Sequence, residues 1–255
     1  MQRRALKIEY DGSDFFGWQL QPHVRTVQGE LESAIALATG EENRVVLHGA
    51  GRTDAGVHAL AQVAHFDSGS PHDPGTFMKA INYWLADDVS VRTVRNTGPE
   101  FHARFSAERK TYRYCIIISE SKRPLSERYC LRRRSMPDVE KMNACARLII
   151  GKHDFAAFTA SGSDNEHTEK TIFRCEWIQD GDLLHYVVEG DGFTYNMVRN
   201  LVGSMLEIGG GSAGPEEFLR VMRSGERVLA GPTAPAGGLT LVAVKYPEDL
   251  DPFRR

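Results

Sequence analysis

The sequence predicts an α+β protein made of two ferredoxin-like halves, and three observations carry that prediction. The first hundred residues read as strand and helix in the order β-α-β-β-α-β. The rest repeats that order with one extra helix, as β-α-β-β-α-α-β. Within each stretch the apolar period separates the two types, two residues for strands and 3.6 for helices. The halves are expected at 1–101 and 102–255, with their antiparallel sheets side by side and a cleft across the join.

Arg4 to Tyr10 opens the chain as a half-buried strand, Leu6, Ile8 and Tyr10 on one face and Lys7 and Glu9 on the other. A polar loop, 11–25, carries Phe15, Phe16, Trp18 and Gln19. Its aromatics either plug the loop base or offer a stacking surface to unpaired bases. Thr26 caps a helix with Val27, Leu31, Ala34, Ile35 and Ala38 on one face, stopped by Gly40. Val45 to Leu47 has strand character, and Leu60 to Phe66 is extended again. A helix over 76–86, with Phe77, Ile81, Trp84 and Leu85 at core spacing, and a strand over 89–94 complete the first half.

Residues 99–106 cross between halves, and Thr111 to Ile118 is a strand with Tyr112, Tyr114, Ile116 and Ile118 on one side. A long basic loop, 119–136, holds Arg132, Arg133 and Arg134. A helix from Asp138 to Ile150 ends at Gly151, and 154–165 reads as a long loop anchored by Phe155 and Phe158. Two strands, 171–178 and 184–189, form a hairpin around Asp180-Gly181-Asp182. Helices over 193–208 and 215–222, a Pro/Gly loop at 232–239 and a strand at 240–246 close the chain.

The composition, 41% hydrophobic and 25% charged over 255 residues, is that of an ordinary globular protein. No apolar run reaches the roughly eighteen residues of a membrane span, and no basic-then-apolar leader opens the chain. A cytoplasmic location without membrane partners is expected. Cys115, Cys130, Cys145 and Cys175 are scattered without a C-x-x-C pair and read as reduced structural thiols. The nine histidines make no ligand spacing, so neither a metal nor a cofactor is expected.

The net charge of −3 hides a division. Residues 102–134 hold ten Lys/Arg against three Asp/Glu, and 23 of the 31 basic residues are Arg. Arginine forks onto phosphates and stacks on bases, so the stretch suits a polyanion, nucleic acid above all. A solvated face is the plainer reading.

The loop His48-Gly49-Ala50-Gly51-Arg52-Thr53-Asp54-Ala55-Gly56-Val57-His58-Ala59 is the chemical focus. It lacks the third glycine of a dinucleotide fingerprint and the Gly-Lys-Ser/Thr of a phosphate loop. Asp54 beside Arg52 is either a surface ion pair on a tight turn or an ionised carboxylate presented for chemistry.

These residues resemble the tRNA pseudouridine synthase A family. The matches run along nearly the whole chain: Tyr10-Asp11-Gly12 through Phe16-Gly17-Trp18-Gln19, the loop 49–59, and Lys110-Thr111-Tyr112-Arg113-Tyr114. They continue through His153-Asp154-Phe155 with Phe158, Asn196-Met197-Val198-Arg199-Asn200, and Ala234 to Leu239. Thr194 departs from the family, which usually carries Leu there.

The resemblance implies the pseudouridine synthase fold, two ferredoxin-like (RRM-like) halves forming a continuous antiparallel sheet with a basic central cleft. It implies a homodimer on tRNA that isomerises uridines 38, 39 and 40 of the anticodon stem-loop without cofactor or metal. Asp54 is then the nucleophile, Arg52 and Arg199 its neighbouring cations, and Tyr112 the residue stacked on the flipped uracil. Phe15, Trp18, Gln19, His58, Arg132, Arg133 and Arg134 are the candidate substrate-binding residues. Two other readings stay open: an RNA-binding module without catalysis, whose aromatic signature is missing, and a base-removing glycosidase, which would want a second carboxylate.

Overall fold

Four of the five α-helices among the described residues, α1 (Val27–Thr39), α2 (Pro74–Trp84), α3 (Val139–Leu148) and α5 (Pro215–Ser224), start where a local side chain or a proline makes starting cheap. Thr26 Oγ1 accepts the Gly29 N–H, and Gly40 closes α1 in the left-handed region at φ 69°. Asp73 accepts two N–H groups ahead of Pro74, so α2 begins two residues earlier than the apolar spacing predicts. Asp138 caps α3, and Pro215 opens α5. The computed structural model describes residues 1–40, 44–160, 167–211 and 213–254. The expected loop 154–165 lies outside these in part, at 161–165.

In chain order the elements are β1 (Gln2–Tyr10), α1 (Val27–Thr39), β2 (His48–Gly49), β3 (His58–Ser68), α2 (Pro74–Trp84) and β4 (Val89–Thr97). Then follow β5 (Arg109–Ile118), β6 (Leu131–Arg133), α3 (Val139–Leu148), β7 (Gly151–Asp154), β8 (Glu169–Asp180) and β9 (Leu183–Gly190). The last are α4 (Met197–Gly209), α5 (Pro215–Ser224) and β10 (Leu239–Lys245). The chain divides into two compact units, Met1–Arg109 with Leu241–Arg255, and Lys110–Thr240.

The first unit has strand order β4-β1-β3-β10, with β2 paired to β3. β1 runs antiparallel to both neighbours, from Gln2↔Ser68 to Tyr10↔Ala59 on one side and Arg3↔Thr97 to Tyr10↔Val89 on the other. On one face Phe66 stacks against Phe77 of α2, and the buried Arg4 guanidinium lies 4.5 Å over the Phe77 ring. On the other, Ala5, Ala50, Val63, Phe101 and Ala103 pack with Tyr246 from the C-terminal stretch. The Tyr246 hydroxyl donates to the Ala103 carbonyl at 2.8 Å.

Two expectations change here. Val45 to Leu47 forms no strand, because Leu47 spends its N–H on Glu32 Oε1 (3.0 Å) and its carbonyl on Gln28 Nε2 (3.1 Å), both on α1. Trp84, placed in the core by its spacing, is exposed at the last turn of α2.

The second unit has strand order β5-β9-β8-β7, with β6 parallel to β5. The hairpin β8–β9 turns at Gly181, φ 59°, as its Asp-Gly sequence predicts. Trp177 and Tyr186 pack at 4.9 Å, and the Trp177 indole N–H reaches Met205 Sδ of α4 at 3.2 Å. The basic loop is not structureless, since Leu131–Arg133 pairs with Ile116–Ile118. Phe193 to Asn196 precede α4 rather than begin it, because Asn196 takes the left-handed conformation at φ 59°. The cysteines are free, yet not all scattered in space: the Cys130 thiol donates to Cys115 Sγ at 2.7 Å.

In the first unit, His48, His65 and His102 pack together with ring centroids 4.5 to 5.5 Å apart, His48 stacked on His65 and His102 edge-on to His65, fixing β2 where it leads into the glycine loop. His65 Nδ1 accepts the Ala103 N–H at 3.1 Å, and burial, seconded by the two neighbouring imidazoles, pulls its pKa down to about 4. The unfolded chain, titrating near 6.5, binds a proton that the folded chain refuses. Stability from this site is therefore complete above about pH 6.5 and is lost as pH falls toward 4. Urea melts over this range should show the loss, and His65→Gln, which keeps an acceptor for Ala103, should flatten it. A slope unchanged in the variant would assign it to other groups.

Candidate active site

The loop between β2 and β3 is clamped on both sides by short-range contacts that only its sequence permits. Ala50 N–H donates to the Val63 carbonyl at 2.7 Å, and Gln62 Nε2 to the Gly51 carbonyl at 2.9 Å. Tyr10, fully buried at the end of β1, shares a 2.8 Å hydrogen bond with Thr53 Oγ1. Burial pushes the Tyr10 phenol up to about 12, so it stays neutral in this bond. The Val57 N–H returns to the Asp54 carbonyl at 3.1 Å around Gly56, φ 78°, the third residue of a type II turn.

Residues 12–18 form the opposite jaw. Trp18 N–H donates to the Thr53 carbonyl at 3.0 Å, and Gly56 N–H to the Phe15 carbonyl at 3.3 Å. Gly17 sits at φ 88°, and a Cβ there would fall 2.7 Å from Thr53 O and 3.1 Å from the Asp54 carbonyl carbon. A Cβ on Gly12 would lie 2.0 Å from the Val57 carbonyl. On Gly49 it would enter the Trp18 indole at 2.6 Å. Both strands of backbone touch because these three positions lack side chains.

The clamp leaves Thr53 and Val57 buried, Asp54 half-buried and Ala55 exposed. A carboxylate held by its own backbone on a buried bed, with its side chain partly in water, has the placement a presented nucleophile needs. Arg52 is exposed, and its Nε donates to Gln19 Oε1 at 3.0 Å. His58 is buried: Nδ1 lies 3.0 Å from the Gly12 N–H and 3.1 Å from Asp11 Oδ1. Phe15 and Trp18 are buried too, their centroids 6.5 and 6.3 Å from that of Tyr10. In this unit they plug the loop base, and the neighbouring exposed ring is Phe16, at 59%. Gln28 and Glu32, buried on α1, hold Gln19 and are the residues here that sequence reasoning passed over. Their sequence trace is a pair of polar residues on the apolar side of a helix.

The second unit holds the other candidates. Tyr112 on β5 is buried and meets Phe193 edge-on at 5.1 Å. Arg199, half-buried in the first turn of α4, is fixed from two sides. Its Nη1 donates to Asn196 Oδ1 at 2.8 Å and its Nε to the Ala234 carbonyl at 2.7 Å, while Ala234 N–H returns to the Arg199 carbonyl at 3.1 Å. The left-handed turn at Asn196 puts its amide within reach of this guanidinium.

Beneath it Asn200, fully buried, donates to the Phe158 carbonyl at 2.7 Å and accepts from Thr233 at 2.7 Å and Arg227 at 3.0 Å. Sequence reasoning missed Asn200 and Arg227 as a pair, since 26 intervening positions separate them. The Thr194 hydroxyl lies 2.7 Å from that of Thr159, which donates to the Phe155 carbonyl, so the departure from Leu here adds a polar tie at the start of α4. Of the basic run, Arg132 is drawn onto the Ser119 and Glu120 carbonyls (3.2 and 3.4 Å) and Glu127 (3.2 Å). Arg133 is half-buried on β6 and Arg134 is exposed.

Among the described residues no group of three His, Cys, Asp or Glu side chains is arranged to hold a metal ion. No helix among them is long and apolar enough to cross a membrane.

Residues 7–106 and 145–247 match the family model described as tRNA pseudouridine synthase. The tRNA pseudouridine synthase A of Citrifermentans bemidjiense is 40% identical over 98% of this chain and 100% of its own length. Those of a Geobacillus species and of Chloroflexus aurantiacus are 41% and 43% identical, covering 96% and 98% of this chain and 98% and 91% of their own.

Gly17→Ala combines a forbidden φ with an impossible contact and should cost about 2 kcal/mol or more in urea unfolding. Gly40→Ala is the control: its φ is 69°, but nothing lies within 4 Å of an added Cβ. It should cost about 1 kcal/mol, the conformational part alone. Equal losses would show that the close approach of residue 17 to the Asp54 backbone is easily relieved.

Proposed function

The chain belongs to the tRNA pseudouridine synthase family, isomerases that convert uridine to pseudouridine in tRNA, and from this premise we propose that Asp54 is its catalytic residue and that uridines 38, 39 and 40 of the anticodon stem-loop are its targets. The observation that carries the proposal is the Asp54 turn: a half-buried carboxylate whose flanking backbone is locked by Tyr10, Trp18 and Val57.

The reaction moves no atom out of the nucleotide except the C5 proton, which exchanges with solvent. A uracil in a stem must first be flipped out, at an unstacking cost of a few kcal/mol. Asp54 then adds to the nucleotide and leaves again. Between these steps the N1–C1′ bond breaks, the base turns, and a C5–C1′ bond forms. A carboxylate suits this work because it is both a competent nucleophile and a good leaving group. Holding its backbone fixed beforehand lowers the reorganisation required at the moment of attack.

In this reading the half 1–101 supplies Asp54 and Arg52, and the half 102–255 supplies Arg199 and Tyr112. Arg199, held by Asn196 and Ala234, is the second catalytic cation. Arg52 fills the space the base vacates, and Tyr112 stacks on the uracil. Arg133 and Arg134 meet phosphates, and Gln19 positions Arg52. Phe15, Trp18 and His58 act from beneath, as the bed of the loop. The enzyme works in the cytoplasm as a homodimer holding tRNA.

Incubation with tRNA tritiated at uridine C5 tests the central claim. Wild type should release tritium with the RNA chain intact, and Asp54→Ala should release none while binding tRNA within about threefold of wild type. Binding without release by wild type would indicate a recognition module, and free uracil a glycosidase. Restricting label to the three anticodon positions tests the target assignment separately. Affinity should also fall steeply with salt, since each phosphate contact releases about one counterion. A flat response would remove the basic stretch from the interface.

A further inference from the structure

Gln28 and Glu32 lie one turn apart on α1, both buried, and the mechanism above leaves them unused. Gln28 Oε1 accepts from Gln19 Nε2 at 2.7 Å and from the Leu20 N–H at 2.9 Å. Its Nε2 donates to Glu32 Oε1 at 2.8 Å and to the Leu47 carbonyl at 3.1 Å. The amide is thereby fixed in one orientation, since a flip would set donors against donors and acceptors against acceptors. Gln19 inherits the same constraint. With its NH2 spent on Gln28, its oxygen is the atom that meets Arg52 Nε, at 3.0 Å.

The chain of contacts has a direction, and Glu32 sets it together with the Leu20 N–H and the Leu47 carbonyl. A carboxylate accepts only, and this one also takes the Leu47 N–H at 3.0 Å and Arg44 at 2.8 and 3.1 Å. Every amide donor in the row points toward it, which leaves an acceptor at the far end. Were Gln19 reversed, its NH2 would oppose a guanidinium that has only donors.

We propose that Glu32, acting through Gln28 and Gln19, is a positioning residue that holds Arg52 in its working place beside Asp54. The proposal rests on the reading of Arg52 as part of the isomerisation machinery. Arg52 is exposed, and an unheld arginine spends its time among many rotamers, whose loss costs up to about 2 kcal/mol. The relay removes much of that freedom before tRNA arrives.

Single-turnover tritium release at saturating tRNA tests it with Glu32→Gln, Arg52→Ala and their double variant. Glu32→Gln should slow release about tenfold and change tRNA affinity less than about twofold. In the Arg52→Ala background Glu32→Gln should add nothing. Should Glu32→Gln fail to fold, Gln19→Met at a half-buried position gives the same comparison. Multiplicative losses with Arg52→Ala, or a Glu32→Gln enzyme as fast as wild type, overturn the relay and leave Asp54 chemistry standing. An Arg52→Ala enzyme as fast as wild type overturns the relay by removing the reading beneath it, an outcome distinct from the other two.

Discussion

The close approach of residues 12–18 to the backbone on either side of Asp54 is the constraint on which the first unit is built. Three glycines permit it, and the N-terminus of α1 enforces it. The Val27 and Gln28 N–H groups, which no helical carbonyl can satisfy, bond to the Gly17 and Trp18 carbonyls at 3.1 and 3.0 Å. The same two peptide units face the loop on their other side, through Gly17 at positive φ and the Trp18 N–H. A helix start, an aromatic plug and a turn are therefore one object. Moving any of them moves the aspartate.

The second unit solves a similar problem with side chains. Asn196 terminates one backbone direction and starts another, and its amide meets Arg199. Asn200, one turn later, joins the Phe158 carbonyl, Thr233 and Arg227. Gly203 lets the Pro232 carbonyl come within 1.7 Å of where a Cβ would stand. Loop 232–239 is thus sewn to the first two turns of α4, and the Arg199 guanidinium lies on that seam. Burying so many polar groups is tolerable because each of those named has a partner.

Much of this was legible in the sequence, for physical reasons that can be named. Periodicity places α1 because one burial face dominates it, and the Asp-Gly turn places the hairpin at Gly181. The glycine loop stands out because its residue types suit nothing but a tight, polar turn. Legibility fails where a long-range hydrogen bond outbids local pattern. Leu47 looks like strand and pairs instead with Gln28 and Glu32. Phe15 and Trp18 look ready for bases and are buried against Tyr10. Asn200 and Arg227 carry no local mark of meeting, and Thr194 shows its purpose only beside Thr159.

The membership of Leu241–Arg255 in the first unit bears on how a ribosome delivers this protein. When residue 109 emerges, the sheet around β1 still has β3 without its outer neighbour β10, and Ala5, Ala50 and Phe101 without the Tyr246 ring. The 146 residues that follow have yet to emerge. The nascent chain therefore carries a naked strand edge and a greasy face until residues 241–255 emerge, a state that invites chaperone holding and wrong partners. Completion is a last-minute event, and the earliest segment made waits longest for its final shape.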